Sequence, residues 1–361
     1  MRAKKIKLVI VDDSVLYAET LRDSLEADER FCVVAVAHHG RDAVKQIEAH
    51  RPDLVTLDLQ MPDLDGLSVV SSIMASTPTP ILLLTGEDPQ RMDAIAFEAL
   101  RRGALDVRAK PALMGDDLRA FEELKEQLAL LATVPTVHHP NLATRGQVAT
   151  GLTVVPSRVV IGVVASTGGP SALAQVLAGM PPNLPASILI VQHLAPGFSP
   201  TFTRWLSSTT KLRVALAAEG MTLEEGLVLV APDDMHLVVR GQKRVGLEPE
   251  GPATLLHRPS GNALLSSLAQ RFGAATIGVV LTGMGSDGAV GLQQIDAAGG
   301  IALVQDASSS VVDGMPASAR AAVPAARVHA LHDLGGALRQ AVLELRERSL
   351  VGRRVPVGTT R

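Results

Sequence analysis

Short apolar runs alternate with segments of helical periodicity along most of the chain, and this alternation constrains the fold more than any other feature. Five such strand–helix units occupy the first 130 residues, and the alternation resumes at Val159. Repeated strand–helix units predict parallel sheets that are covered by helices. We therefore predict two doubly wound α/β domains. The main predicted strands are Ile6–Val11, Phe31–Ala37, Leu54–Leu57, Ile81–Leu84, Leu105–Val107, Val159–Ala165, Ser187–Val191, Leu227–Ala231, Thr276–Leu281 and Ile301–Val304.

A stretch without either period separates the two series. Residues 133–157 contain prolines and small polar residues with few charges, which is typical of a linker. His138 and His139 lie in it without a neighbouring Cys, Asp or Glu, so we interpret them as linker residues rather than metal ligands. The predicted divisions are a first domain at 1–130, a linker at 131–157, a second domain at 158–349 and a flexible tail at 350–361.

The composition excludes several classes of protein. Hydrophobic residues make up 47% of the 361 residues but aromatic residues only 2%, which suits aliphatic parallel sheets and argues against base stacking on nucleic acid. The single cysteine, Cys32, fits a reducing compartment, and we predict that it lies in the core. Trp205 is expected to pack near Phe198 and Phe202. Because no apolar run approaches 18 residues, we expect a cytoplasmic protein without a membrane span.

Charged and polar residues follow the predicted strands of the first domain. Asp12 and Asp13 follow the first strand and Asp58 follows the third, while Thr85 and Lys110 follow the fourth and fifth. Since the carboxyl ends of parallel strands meet at one edge of a sheet, we expect these side chains to cluster. Carboxylate oxygens suit Mg²⁺, and a carboxylate can accept a phosphoryl group. The alternative is that these residues cap helices.

Three candidates for nucleophilic catalysis follow strands of the second domain. Ser166 stands in a small-residue turn before a helix, where free backbone N–H groups can stabilise an oxyanion. His193 and Asp287 follow two other predicted strands. A serine nucleophile needs a base, and the base needs an orienting carboxylate. The pattern favours a Ser-His-Asp triad, and helix caps and surface residues remain the alternative.

The segment Gly283–Gly288 offers a competing interpretation. It matches the G-x-G-x-x-G fingerprint of dinucleotide-binding loops, and Asp306 follows 18 residues later at the end of another predicted strand. On this interpretation the chain would be a nicotinamide-dependent oxidoreductase. Ser166 and His193 would then have no role, and the loop would lie late in the domain rather than after its first strand.

Four short motifs lie at or after the predicted strands of the first domain: Asp12-Asp13, Asp58-Leu-Gln-Met-Pro-Asp-Leu-Asp-Gly66, Thr85-Gly86 and Lys110-Pro111. Over about residues 1–128 they resemble a response-regulator receiver domain. The resemblance implies that Asp58 accepts a phosphoryl group from a histidine kinase. It further implies that Mg²⁺ is bound beside Asp58 and that two side chains hold phosphoryl oxygens. Val107 stands where many receivers have an aromatic switch residue. The implied metal ligands are Asp12, Asp13 and Asp58, and the implied phosphoryl-stabilising residues are Thr85 and Lys110.

The second domain contains a further set of motifs: Ser166-Thr-Gly-Gly-Pro170, Gln192-His193, Ala231-Pro-Asp-Asp-Met-His236, His257-Arg-Pro-Ser260, Leu281-Thr-Gly-Met-Gly-Ser-Asp-Gly288 and Gly314-Met-Pro316. From about residue 158 to 345 they resemble the catalytic domain of chemotaxis protein-glutamate methylesterases. The resemblance implies a doubly wound domain with a catalytic triad of Ser166, His193 and Asp287 and no cofactor at the esterase site. Beside the triad, Thr167 and the backbone N–H of Met284 are candidate oxyanion donors.

The two resemblances together imply a phosphorylation-activated methylesterase. Its substrates would be glutamate methyl esters on the cytoplasmic helices of methyl-accepting chemoreceptors, and receptor glutamines would also be deamidated. It would associate with the membrane only through these receptors and would bind no nucleic acid. A catalytically inactive, phosphorylation-regulated receptor adaptor remains a further alternative.

Overall fold

The computed structural model describes residues 4–61, 66–86, 89–111, 118–134, 159–241, 243–251, 255 and 257–351. The chain divides into two compact units, 1–143 and 144–361. Each unit is built on a parallel β-sheet, which confirms the predicted α/β fold class. The predicted linker from residue 135 onward, with His138 and His139, and the predicted tail from residue 352 onward lie outside the described residues.

The first unit contains a five-stranded parallel sheet in the order β2-β1-β3-β4-β5. The strands and the helices that follow them are β1 (Ile6–Val11), α1 (Val15–Glu26), β2 (Phe31–Ala37), α2 (Gly40–His50), β3 (Leu54–Asp58), α3 (Gly66–Ser76), β4 (Ile81–Thr85), α4 (Pro89–Arg101), β5 (Asp106–Ala109) and α5 (Leu118–Leu131). Four strands begin where the sequence predicted, and β5 begins one residue later.

The prediction that Cys32 lies in the core is wrong. Cys32 is exposed, although it follows the buried Phe31 in an apolar strand. The reason is the position of β2 at the edge of the sheet, where it pairs only with β1. Successive side chains of a strand point to opposite faces, so Phe31 enters the core and Cys32 faces solvent.

The second unit contains a seven-stranded parallel sheet in the order β14-β13-β12-β6-β7-β9-β8 and a separate antiparallel hairpin, β10-β11. Its elements are β6 (Val160–Ala165), α6 (Gly169–Ala178), β7 (Ser187–Gln192), α7 (Ser199–Thr209), β8 (Arg213–Leu216), β9 (Leu227–Val230), β10 (His236–Arg240), β11 (Arg244–Glu248), α8 (Gly261–Phe272), β12 (Thr276–Val280), α9 (Ala289–Ala297), β13 (Ile301–Gln305), α10 (Gly314–Ala322), β14 (Arg327–His329) and α11 (Leu331–Val351).

The strand order of the second unit indicates which edge of its sheet can bind a ligand. From the central strand β6, the chain adds β7, β9 and β8 on one side and β12, β13 and β14 on the other. In an open parallel sheet, such a reversal opens a crevice at the carboxyl ends of the strands, where ligands bind. The loops after β6, β7 and β12 are therefore the ones that meet at this crevice.

The cores of both units are largely aliphatic, as the composition predicts. Among the few aromatic residues, Trp205 packs on Phe202 with ring centroids 5.9 Å apart, and Phe198 is also buried. In the part of the chain that the structure describes, no helix has the length and apolar character needed to cross a membrane.

Two neighbouring glycines allow helices to pack closely on the second sheet. Gly162 in β6 pairs with Gly278 in β12. A Cβ atom at Gly162 would lie 2.5 Å from Leu265 and 2.8 Å from Leu268 of α8, and one at Gly278 would lie 2.5 Å from Leu292 of α9. Because real Cβ contacts are longer, a side chain at either position would force these leucine side chains out of their packed positions.

We expect Gly162→Ala to destabilise the second unit by about 1–3 kcal/mol, because the added methyl overpacks the contact between β6 and α8. Urea unfolding followed by Trp205 fluorescence measures this change. Gly336→Ala is the matched control, since Gly336 lies in α11 with no atom within 4 Å of an added Cβ. That control should gain about 0.5–1 kcal/mol from the helix propensity of alanine. Equal unfolding curves for the two variants would contradict the packing argument.

Candidate functional site

Backbone hydrogen bonds hold the ends of β6, β7 and β12 together. The N–H of His193, just after β7, donates to the carbonyl of Ala165 at the end of β6 at 3.0 Å. The N–H of Ser166 donates to the carbonyl of Thr282, just after β12, also at 3.0 Å. Ser166 and His193 therefore follow adjacent strands, at the edge that the strand order identifies.

Ser166 occupies a tight turn between β6 and α6. Its carbonyl accepts a hydrogen bond from the N–H of Gly169 at 2.7 Å, and Gly168 adopts a left-handed φ of 74°. Pro170 stands in the first turn of α6, where its missing N–H costs nothing. From the neighbouring loop, Gly283 approaches so closely that a Cβ there would lie 2.7 Å from the Cβ of Ser166. The serine is partly buried, and its backbone is fixed on both sides.

His193 contacts Asp287 directly. The Nε2 atom of His193 lies 2.9 Å from Oδ2 of Asp287, and the two side chains are 14% and 5% exposed. The residues are 94 positions apart in the chain, so only the fold brings them together. A base oriented by a buried carboxylate is the arrangement that activates a serine hydroxyl.

The carboxylate of Asp287 also holds the N-terminus of α8. Oδ1 accepts hydrogen bonds from the Ser260 hydroxyl at 3.0 Å and from the N–H groups of Asn262 at 2.9 Å and Gly288 at 3.0 Å. Oδ2 accepts the N–H of Gly261 at 2.6 Å. Burial disfavours the ionised form, but the hydrogen bonds from His193 and from the helix outweigh it and lower the pKa of Asp287 to about 2.

The contacts of the His257–Ser260 segment were not predicted from the sequence. The imidazole of His257 stacks on that of His193, with ring centroids 4.4 Å apart and an interplanar angle of 24°. Ser260 caps α8 through the N–H of Ala263 while its hydroxyl donates to Asp287. The sequence signal was a serine immediately before a helix. Its distant partner, 27 residues along the chain, has no local signature.

The two candidate oxyanion donors lie in the loops that carry the triad candidates. Thr167 is buried, and its carbonyl accepts a hydrogen bond from the Thr282 hydroxyl at 3.0 Å. Met284 follows Gly283, and its side chain is 41% exposed. The loop between β12 and α9 thus places Met284 beside the crevice, and the oxyanion roles of both residues stay predictions.

An acidic cluster lies at the carboxyl edge of the first sheet. Ligand oxygens of Asp12, Asp13 and Asp58 lie within 4.8 Å of one another, and Asp12 and Asp58 are buried. The ammonium of Lys110 lies 2.7 Å from Asp12 and 2.6 Å from Asp58. Burial disfavours charge on this ammonium, but its two hydrogen bonds outweigh that effect and raise the pKa of Lys110.

The cluster fits a divalent cation and a phosphoryl group. Three carboxylates lie near one ammonium, and a hard cation with oxygen ligands would offset this excess of negative charge. Burial raises the pKa of Asp12 in spite of its bond to Lys110. The buried hydroxyl of Thr85 has no hydrogen-bond partner among the described residues. It is therefore available to a ligand oxygen.

Both units match known protein families. The family described as CheB methylesterase matches residues 160–338, and the response regulator receiver domain matches residues 8–121. The protein-glutamate methylesterase/protein-glutamine glutaminase 2 of Anaeromyxobacter dehalogenans is 43% identical over 322 residues, which are 89% of this chain and 91% of the relative. The chain belongs to this methylesterase family.

A second relative and a solved catalytic domain are also similar to this chain. Protein-glutamate methylesterase/protein-glutamine glutaminase 3 of Paramagnetospirillum magneticum is 40% identical over 87% of this chain and 90% of its own length. The crystal structure of the Thermotoga maritima CheB methylesterase catalytic domain is 33% identical, covers 52% of this chain and 99% of that domain, and has a TM-score of 0.49.

Membership in the methylesterase family supports the predicted ester hydrolase and not the nicotinamide-dependent alternative. The geometry explains the glycines of Gly283–Gly288 without a dinucleotide. Gly283 packs against Ser166, and Gly285 and Gly288 adopt left-handed φ values of 89° and 90°. Asp306, which the fingerprint would assign to a ribose, accepts hydrogen bonds from Ser308 and Ser309 of its own loop.

In the first unit, Tyr17 contacts Lys110, which the sequence did not predict. Val107 occupies the position expected for a switch aromatic. The ring of Tyr17 instead lies beside the cluster, with its centroid 4.7 Å from the Lys110 ammonium. Burial and the charge of Asp12 raise the pKa of Tyr17, so its hydroxyl stays neutral. The contact is a cation–π interaction that helps to hold Lys110.

Because of Asp287, the free energy of unfolding of the second unit should depend on pH in the acidic range. The pKa of Asp287 in the folded protein, about 2, lies below the ordinary aspartate value of 3.8. The ionised carboxylate therefore stabilises the fold above pH 3.8, and this stabilisation is lost as the pH falls towards 2. The corresponding free energy is about 2 kcal/mol. We expect the difference in unfolding free energy between the wild type and Asp287→Asn to shrink by that amount from about pH 5 to pH 2.

Urea titrations followed by Trp205 fluorescence measure this difference across the pH range. Asp296→Asn serves as a control, because Asp296 is exposed on α9 and its carboxylate forms no ion pair or hydrogen bond among the residues that the structure describes. Its difference from the wild type should change little. A constant wild-type advantage over Asp287→Asn at every pH would show that the ionised form is not specifically stabilised.

Proposed function

We propose that this chain hydrolyses glutamate methyl esters on methyl-accepting chemoreceptors and that phosphorylation of Asp58 activates it. The observation that carries the proposal is the contact of His193 with the buried Asp287 at the sheet edge where Ser166 stands. The relatives are named protein-glutamate methylesterases and protein-glutamine glutaminases, which supports the same chemistry on glutamine side chains.

In the proposed reaction, the Ser166 hydroxyl attacks the ester carbonyl while His193 takes the hydroxyl proton. The C–O bond to the methoxy group then breaks, and His193 returns the proton so that methanol leaves. Water attacks the resulting acyl-enzyme with His193 again as the base, which releases the glutamate carboxylate and restores Ser166. The N–H of Met284 and Thr167 are the proposed donors to the oxyanion.

Asp287 has two roles in this scheme. Its hydrogen bond to Nε2 fixes the orientation and tautomer of His193, and its charge stabilises the imidazolium that forms when the proton is transferred. The four other hydrogen bonds to the carboxylate keep it ionised and in place. The carboxylate thus acts from a fixed position rather than reorganising during the reaction.

In the first unit, the Asp58 carboxylate is the proposed phosphoryl acceptor. Asp12, Asp13 and Asp58 would hold Mg²⁺. When bound, this ion would neutralise part of the charge on the phosphoryl group. The Thr85 hydroxyl and the Lys110 ammonium would bind phosphoryl oxygens. Phosphorylation would break the present contact of Lys110 with the Asp58 carboxylate and so change the population of receiver conformations.

The partners follow from this chemistry. A histidine kinase is the proposed phosphoryl donor, and the cytoplasmic helices of chemoreceptors are the proposed substrate. We propose a cytoplasmic protein that reaches the membrane only through these receptors. The names of the relatives do not support the alternative of an inactive receptor adaptor, which would release no methanol.

Ser166→Ala should abolish the reaction because no other group on the proposed pathway can form the acyl-enzyme. Methanol release from methylated receptor should fall by at least about 10³-fold. Ser208→Ala is the matched control, since the Ser208 hydroxyl donates only to the carbonyl of Trp205 in α7. It should leave the rate unchanged. Undiminished release by Ser166→Ala would exclude this residue as the nucleophile, and no release by the wild type would favour the adaptor.

Phosphorylation should increase the rate of methanol release. We expect acetyl phosphate with Mg²⁺ to stimulate the wild type and to have no effect on Asp58→Asn, because the amide cannot accept the phosphoryl group. The measurement is the initial rate with and without the phosphodonor. Asp53→Asn is the control, because this half-buried carboxylate precedes β3 and binds Lys4 and the N–H of Lys7 instead of the Lys110 ammonium. Stimulation of Asp58→Asn equal to that of the wild type would contradict the proposed acceptor.

A further inference from the structure

Gln192 is a buried polar residue that the proposed reaction does not use. It is the last residue of β7, and only 3% of its surface is exposed. Its Nε2 atom donates to the carbonyl of Ser166 at 2.8 Å and to the carbonyl of His193 at 2.9 Å. A single amide group therefore contacts the backbones of both the proposed nucleophile and the proposed base.

These two hydrogen bonds lie where the strand pairing ends. The last paired residues of β6 and β7 are Ala165 and Gln192. Ser166 and His193 each stand one residue beyond this pair, so their carbonyls are no longer held by the ladder between the strands. The side chain of Gln192 supplies donors to both of them. It thus adds a direct link between the backbones of these two residues, beside the bonds of the His193 N–H to Ala165 and of the Gly169 N–H to Ser166.

The orientation of the amide is fixed by its surroundings. Turning it over would direct Oε1 at two carbonyl oxygens, which are acceptors and would repel it. In the observed orientation, Oε1 is buried without a hydrogen-bond partner among the described residues. It also lies against Gly169, where a Cβ would collide with it. The fold thus leaves one acceptor unsatisfied and keeps both donors on the carbonyls of Ser166 and His193.

We propose that Gln192 is a positioning residue that fixes the backbones of Ser166 and His193 relative to each other. It touches neither substrate nor the reacting atoms, and it acts through the two residues that do. The inference rests on the proposed function, because it assumes that Ser166 and His193 act together. Small misplacements of reacting groups cost large factors in rate, so the effect of its loss should fall on turnover rather than on substrate binding.

The test compares Gln192→Met with Thr210→Val in the full-length chain. Methionine has a similar length to glutamine but no N–H donor. Thr210 is a matched control because it is buried and its hydroxyl makes two hydrogen bonds to backbone, to the carbonyl of Leu177 and from the N–H of Leu212. Neither bond involves Ser166 or His193. The measurements are kcat and KM for methanol release, the rate at which a fluorophosphonate labels Ser166, and thermal unfolding.

We expect Gln192→Met to lower kcat by about 10- to 100-fold with KM nearly unchanged, and to slow labelling of Ser166 in parallel. Thr210→Val should lose thermal stability to a similar degree while it keeps the wild-type kcat and labelling rate. If Gln192→Met keeps the wild-type kcat while Ser166→Ala is inactive, the positioning role is wrong and the proposed function stands. If Ser166→Ala releases methanol at the wild-type rate, the proposed nucleophile is wrong, and if the wild type releases no methanol, the proposed function itself fails.

Gln192→Glu decides the question if Gln192→Met does not fold. Glutamate has the same shape as glutamine, and its side chain donates a hydrogen bond only when it is protonated. It therefore cannot donate to both carbonyls in either protonation state, and its kcat should fall about as far as that of Gln192→Met. A Gln192→Glu variant that remains folded and keeps the wild-type kcat would overturn the positioning role.

Discussion

The second unit depends on a buried carboxylate that is satisfied from several directions at once. Taking an ionised carboxyl out of water is costly unless hydrogen bonds replace the lost hydration. Asp287 receives them from His193, from Ser260, from the N-terminus of α8 and from the N–H of Gly288. The α8 helix contributes its N-terminal dipole as well as donors. The same group that orients the proposed base therefore also fixes where a helix begins and how the loop after β12 turns.

Much of the fold follows from local patterns in the sequence. Aliphatic runs such as Leu8–Val11 and Ile188–Val191 lie within strands, because residues buried on both faces of a parallel sheet are continuously apolar. The positions of the candidate residues also followed, since a parallel sheet gathers its strand ends on one edge. This rule was sufficient to predict that Asp12, Asp58 and Lys110 would lie together, and the structure places them in contact.

Features that depend on distant partners could not be predicted in this way. The stacking of His257 on His193 and the bond from Ser260 to Asp287 join residues that share no local pattern. Cys32 was misplaced because an apolar run does not reveal that its strand lies at the edge of the sheet. The strand Arg327–His329 has only three residues, two of them charged or polar, and it is recognisable only from its pairing with β13.

The scarcity of aromatic residues gives the two units separate intrinsic probes. The chain has one tyrosine and one tryptophan. Tyr17 is buried beside Lys110 in the first unit, and Trp205 is buried on Phe202 in the second. Each unit thus carries its own optical reporter without any labelling or mutation. Tyrosine absorbance and tryptophan emission, recorded on the same sample, distinguish whether the two units unfold in a single step or one after the other.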